Sequence, residues 1–267
     1  VHPIERLRYV ARASGVDQES LVRETAGALA SLGLEPAGTV TACRRIIDRH
    51  LTSGPLWWLC ARVLCAGDVR AEAWRCAEEI ADDPTAVELA HGLPTDATVL
   101  VLGWPTVVAE ALVRRGDLEV LVVDALGEGR GLARRLARSD VAAEEVPVHG
   151  LGAAAAAADL VLLEATAIGP TGAVCVSGSR AAAAVARHAG VPAWLVGGIG
   201  RLLPGRLWEA LERRLDDAGE PWDADDEVVP LDLVDAIAGV AGPEPVADGL
   251  RRTDCPVTPE LFRPTAF

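Results

Sequence analysis

Three side chains in this sequence are equipped for proton transfer at the ends of apolar runs: Asp124, His149 and Glu164. A carboxylate or imidazole placed where a strand hands over to a loop can act as a general acid or base. Gly103 and Trp104, Thr166, and Gly197 and Gly198 follow or sit in similar runs and would line the same edge. A second chemistry, anion binding, is suggested by Val176-Ser177-Gly178-Ser179-Arg180 ahead of four alanines at 181–184. A small turn opening a strong helix former leaves free N–H groups at a positive dipole end, with two hydroxyls and a guanidinium beside them. That combination suits a phosphate or carboxylate. Each residue also has a plainer use, since polar side chains at strand ends commonly cap helices. Gly127-Glu128-Gly129-Arg130-Gly131 lacks the Gly-x-Gly-x-x-Gly spacing of a dinucleotide loop, so no nicotinamide cofactor is expected, although Arg130 is placed to face an anion.

These residues need elements that bring them to one edge. Residues 1–93 read as a helical domain. Apolar positions recur at helical spacing in Ile4, Leu7, Val10 and Ala11, then in Leu21, Ala28, Leu29 and Leu32, and the pattern continues to residue 80. Residues 94–267 read as an α/β domain. Short apolar runs at 98–102, 119–123, 143–148, 160–163 and 193–196 alternate with helical stretches at 105–115, 129–138, 152–158 and 179–188. Such alternation predicts a parallel sheet covered on both faces, with right-handed crossovers and a ligand cleft outside the carboxyl ends of the strands. The acidic, proline-rich stretch from 221 to 267 ends in a segment, 254–261, apolar enough to dock.

Composition narrows the chemistry. The 25 basic residues are all Arg. Without Lys there is no Schiff-base lysine and no P-loop lysine, so an anion must be held by Arg, backbone N–H groups or hydroxyls. The net charge of -14 argues against nucleic acid and anionic membrane as partners. The six cysteines show no Cys-x-x-Cys spacing and lie mostly in apolar stretches, so neither a metal site nor a disulfide framework is expected. No signal peptide or apolar run long enough to span a membrane is visible, which makes the cytoplasm the expected location.

The stretch Ala158-Asp159-Leu160-Val161-Leu162-Leu163-Glu164-Ala165-Thr166-Ala167-Ile168 resembles the alpha/beta/delta subunits of translation initiation factor 2B, whose relatives include methylthioribose-1-phosphate isomerase and ribose-1,5-bisphosphate isomerase. In that family it reads Val-Asp-Leu-Val-Leu-Val-Gly-Ala-Asp-Ala-Val. The resemblance continues through Gly172-Ala173-Val174 to Gly190-Val191-Pro192-Ala193-Trp194, and takes in Glu128-Gly129-Arg130. Residues 51–64 look like the helix that carries Arg-Pro or Arg-Gly in relatives. The resemblance implies a helical N-terminal domain, a Rossmann-like parallel-sheet domain and a homodimer built through the latter.

The departures bear on function. Family isomerases carry a catalytic Cys after the first strand, where Val101-Leu102-Gly103 stands here, and an Asp in Gly-Ala-Asp, where Glu164-Ala165-Thr166 stands. Their Asn-Lys-Ile-Gly-Thr is replaced by Val176-Ser177-Gly178-Ser179-Arg180. Two readings follow. One is a non-isomerase that binds a small phosphorylated or anionic metabolite in the old cleft through Gly103, Trp104, Arg130, Thr166 and residues 177–180. The other is an enzyme of rebuilt chemistry that uses His149, Asp124 or Glu164.

Overall fold

A computed structural model describes residues 18–31, 36–217 and 219–262. The expected apolar positions Ile4, Leu7, Val10, Ala11 and Leu32 lie outside the described residues. Five helices come first among the described residues: α1 (Gln18–Ser31), α2 (Pro36–Arg49), α3 (Gly54–Cys65), α4 (Val69–Ala81) and α5 (Thr85–Gly92). α3 is the hub, because nine of its residues are buried, including Leu56, Trp57, Trp58 and Leu59. Pro55 sits in its first turn, where the missing N–H costs nothing. α4 begins where Asp68 accepts a hydrogen bond from the Ala71 N–H. α5 packs with the sheet: Leu89, Ala90 and Leu93 share a core with Val99, Val101 and Leu112.

The α/β part runs β1 (Thr98–Leu102), α6 (Thr106–Val113), β2 (Glu119–Val123), α7 (Gly129–Arg138), β3 (Ala142–Val146), α8 (Leu151–Ala157), β4 (Leu160–Ile168), β5 (Gly172–Val176), α9 (Ser179–Ala189), β6 (Ala193–Val196), α10 (Gly205–Asp216), β7 (Asp226–Pro230), β8 (Ala236–Gly239) and β9 (Gly242–Pro245). The main sheet has the order β3-β2-β1-β4-β6-β8-β9. Its first six strands are parallel. Alternate residues of β1 feed opposite faces: Val99 and Val101 join α5, α6 and α7, while Leu100 and Leu102 join α8 and α9. Both faces are therefore apolar, as a parallel sheet wrapped by crossover helices requires.

The sheet is mixed, where the sequence predicted a parallel one. β9 returns antiparallel to β8, and β4 continues past Leu163 into an antiparallel branch, β4-β5-β7. The connection Gly169-Pro170-Thr171 is too short for a crossover, so β5 can only fold back. A β-bulge interrupts the β4–β5 pairing between Ala165 and Ala167 and sets Thr166 apart from the ladder. The helical layer closes over this branch in one core, where Trp57, Leu59 and Cys60 pack with Ala167, Val174 and Trp208.

Candidate functional site

β1 lies between β2 and β4, so the chain's winding reverses there and leaves a crevice between the ends of β1 and β4. The parallel register pairs Leu100 with Val161, and its continuation sets Gly103 beside Glu164. Gly103 has φ +63°, which lets the chain turn sharply out of β1. Glu164 is not a free acid in this crevice. Its Oε2 accepts from the Val108 N–H at 3.0 Å, and its Oε1 from the Thr106 hydroxyl at 3.2 Å and from Arg201 Nη1 at 3.1 Å. The Glu164 and Arg201 side chains are only 11% and 5% exposed. Arg201 also donates to the Ala165 carbonyl at 2.7 Å. The carboxylate thus caps α6 and anchors a buried guanidinium.

The same device recurs along the edge. Asp124 Oδ1 accepts the Gly129 N–H at 2.7 Å, at the start of α7. Glu227 Oε1, from β7, accepts the N–H groups of Gly178 at 2.7 Å and Arg180 at 2.9 Å, at the start of α9. The turn expected to cradle a ligand's anion is therefore filled by the chain's own carboxylate. Ser177 donates its hydroxyl to the Ala224 carbonyl at 2.5 Å, and Ser179 is buried. Arg180 is exposed, and Arg130 pairs with Glu145 at 3.0 Å on the surface. His149 is exposed in the turn after β3. Arg130 thus meets a carboxylate of the chain, while His149 and Arg180 face solvent. Trp104 lies against α7, where a Cβ on Gly131 would come within 2.6 Å of its ring, and Arg135 sits over it at 5.9 Å.

The helical layer meets this edge at the start of α3. A Cβ on Gly54 would lie 2.7 Å from the Thr166 carbonyl oxygen, so only glycine allows α3 to abut the bulge. Thr166 donates its hydroxyl to the Val174 carbonyl at 3.3 Å, and Ser53 donates to Gln18 Oε1 at 2.5 Å. Asp226 is hydrogen-bonded to Thr52, and burial holds its carboxyl above the usual range while that bond opposes the shift. Behind it, Cys175 is fully buried, and desolvation pushes its thiol far up, with Asp226, Glu227 and Glu164 adding to the effect. A thiol held neutral in this way is a poor nucleophile.

A polar pocket of about 420 Å³ opens between α1, α4 and α6, lined among others by Gln18, Asp83, Thr106, Glu110, Arg135 and Arg201. Asp83 ties the layers together: its Oδ1 accepts from the N–H and hydroxyl of Thr85, and its Oδ2 from the Ile199 N–H at 2.8 Å. Gly197 and Gly198 belong to the same loop, and a Cβ on Gly198 would lie 2.1 Å from Asp83 Oδ2. Asp83, Arg135, Arg201 and Glu227 are the residues that reasoning from sequence missed. The glycine run preceding Arg201 is the one signal that pointed toward any of them. Among the described residues no group of three or more His, Cys, Asp or Glu side chains could hold a metal ion, and no helix is long and apolar enough to cross a membrane.

No protein-family model and no curated protein matches the chain. Solved structures do. The Pyrococcus horikoshii OT3 translation initiation factor eIF-2B superposes over 93% of this chain and 98% of its own, with a TM-score of 0.75 at 14% identity. A chain of the tetrameric eIF2B-beta2-delta2 complex from C. thermophilum matches over 93% and 91%, with a TM-score of 0.74 at 19% identity. eIF2B beta from Chaetomium thermophilum matches over 91% and 86%, with a TM-score of 0.69 at 17% identity. The fold is that of the initiation factor 2B subunits. The match spans the helical layer as well as the sheet.

Proposed function

We propose that this chain is an initiation factor 2B-like binding protein that takes a small metabolite bearing an anionic group in the pocket between helices and sheet, and that does not catalyse the isomerisation of its enzyme relatives. The observation that carries the reading is the fate of the crevice. Gly103 and Thr166 stand where proton-transfer groups would be needed, and the one carboxylate between them, Glu164, is committed to α6 and Arg201. Arg135 supplies a cation to the pocket, and Thr106 and Gln18 supply hydrogen-bonding groups for hydroxyls. The α9 turn is a poorer home for an anion, because Glu227 would have to leave first.

The resemblance in sequence and fold also supports a homodimer through the α/β part. Leu126, Val148 and Trp222 are 54%, 59% and 80% exposed in the loops after β2, after β3 and before β7, which suits an isologous contact with a second copy. Light scattering at tens of micromolar should show a dimer, and a monomer there would refute it. The cytoplasm fits six cysteines that are all free thiols.

A second reading, an enzyme of rebuilt chemistry, has Asp226 in its favour, since a carboxyl raised by burial at an inter-layer seam suits proton transfer. Two assays separate the readings. Methylthioribose 1-phosphate and ribose 1,5-bisphosphate should not be turned over, and rates approaching ~10 per second would overturn the proposal. In calorimetry with a series of sugar phosphates, Arg135→Ala should weaken binding roughly ten- to a hundredfold, while Arg180→Ala leaves it unchanged. The reverse pattern, or no binding across the series, would also overturn it.

A further inference from the structure

A second pocket, of about 390 Å³, lies on the far side of the loop that Asp83 pins, at the carboxyl ends of β6 and β8. Its size falls in the range of small-molecule sites. Its body is apolar, with Ile199, Leu202, Ile237 and Val240 on the walls. Main chain forms much of the rest, because Gly197, Gly198, Gly200, Gly239 and Gly249 present no side chain. Those glycines are required by packing on their other sides: a Cβ on Gly249 would lie 2.8 Å from Ile237, and one on Gly197 2.5 Å from Ile168. The pocket is therefore a by-product of tight packing, and it persists in any sequence that keeps the fold this close.

Its polar groups are few and of both kinds. The N–H groups of Gly198 and Gly200 have no protein acceptor among the described residues. Two unsatisfied donors beside a cavity call for an acceptor from outside. Against them stand three carboxylates, Glu79, Glu244 and Asp254, and one guanidinium, Arg252. Arg252 grips Glu244 through two nitrogens, at 2.9 and 2.5 Å, and Asp254 accepts from Trp58 Nε1 at 3.0 Å. Arg62, just behind the wall, holds Glu79 at 2.8 and 3.1 Å and lies 3.5 Å from Asp254, so three carboxylates face two guanidiniums and one negative charge is in excess on that side, with the two amide donors on another. A phosphate suits the donors and is repelled by the carboxylates. A plain amine suits the carboxylates and leaves the donors unmet.

We propose that this pocket binds a small zwitterion with an apolar body, the class of an apolar α-amino acid. The carboxylate is taken by the Gly198 and Gly200 N–H groups, the ammonium faces Glu244 and Asp254, and the side chain lies against Ile237 and Leu202. The proposal is independent of the ligand suggested for the first pocket.

The test uses the full chain with L-leucine and L-phenylalanine as probes, read by calorimetry and by ligand-observed magnetic resonance. Two truncated analogues accompany them: 4-methylpentanoate, which lacks the ammonium, and 3-methylbutylamine, which lacks the carboxylate. At least one amino acid should bind saturably at millimolar concentration or below, and each analogue should bind at least tenfold more weakly. Ala241→Trp, at the exposed tip of the β8–β9 hairpin, should block the mouth and abolish binding, and Arg135→Ala in the other pocket should leave it intact. Glu244→Gln gives a second variant of the same wall, expected to weaken the zwitterion at least fivefold more than 4-methylpentanoate. Absence of saturable binding by either amino acid overturns the proposal. So does an amine that binds as tightly as the zwitterion, or binding that survives both Ala241→Trp and Glu244→Gln.

Discussion

Glu164→Ala is expected to damage stability far more than a surface carboxylate would. The side chain is 11% exposed and faces Arg201, itself 5% exposed, at 3.1 Å. Removing one member of a buried ion pair leaves the other charge desolvated without compensation, which costs about 3–5 kcal/mol. Two further groups lose their acceptor, the Val108 N–H and the Thr106 hydroxyl in the first turn of α6. Arg201 keeps its bond to the Ala165 carbonyl, which moves the expected loss toward about 3 kcal/mol. At roughly 2–4 °C per kcal/mol for a chain of this size, the melting temperature should fall by at least about 6 °C. Denaturant unfolding of Glu164→Ala, Arg201→Met and the double variant forms the decisive cycle. The double variant should lose less than the sum of the singles by about 0.5–3 kcal/mol, since it leaves no orphaned charge. A single-variant loss under about 1 kcal/mol, or strict additivity, would show that Glu164 is a loosely held crevice acid and would reopen a catalytic role for it.

Two other outcomes follow from groups around the seam. A thiol reagent should label Cys65, the one exposed cysteine, in the native protein and reach Cys43, Cys60, Cys76, Cys175 and Cys255 only on unfolding, because burial pushes Cys76 up to about 12 and Cys175 and Cys255 up as well, and a hydrogen bond with Cys43 together with burial raises Cys60; mass spectrometry showing Cys175 modified as fast as Cys65 would contradict this. The Asp226 carboxyl is raised in the folded state by burial, so its stabilising contribution is full below the unfolded pKa of about 3.9 and is lost as pH rises through the higher folded value. Asp226→Asn should therefore gain in melting temperature relative to the parent between pH 4 and 7, and a difference that does not change with pH would refute the assignment.

β1, β2 and β6 match the apolar runs read from sequence residue for residue, because strands buried on both faces leave an uninterrupted apolar signature. β4 was cut short at Leu163 because Glu164 and Thr166 interrupt the pattern, and those two residues are the cap and the bulge that make the edge distinctive. β7 and β9 were illegible for a different reason. Asp226-Glu227-Val228-Val229-Pro230 has one fully buried residue, and Gly242-Pro243-Glu244-Pro245 carries two prolines that only an edge strand tolerates. The pattern of apolar runs marks Asp124 and Glu164 as ends of those runs, but no local pattern names the groups they hold. Glu227 reaches the α9 turn from 49 residues away, a pairing set by the antiparallel branch and by no local pattern.

That pairing shows how a helix end can be closed to an outside anion by the chain itself. Helix N-termini facing the carboxyl ends of parallel strands attract anions wherever they occur. In this chain α6, α7 and α9 each present such an end, and each already holds a carboxylate from another part of the chain: Glu164, Asp124 and Glu227. An internal carboxylate satisfies the same N–H groups at no cost in translational entropy, so a free anion competes at a disadvantage. The helix ends are thereby used for packing within the chain. The two pockets described above differ from these ends: one is lined by Arg135, the other by Gly198 and Gly200, whose N–H groups have no protein acceptor among the described residues. A chain with 39 acidic residues and no lysine has abundant internal anions and few cations to attract external ones. Self-capped helix ends are the structural consequence, and they tie the acidic composition of the sequence to the carboxylates held at the starts of α6, α7 and α9.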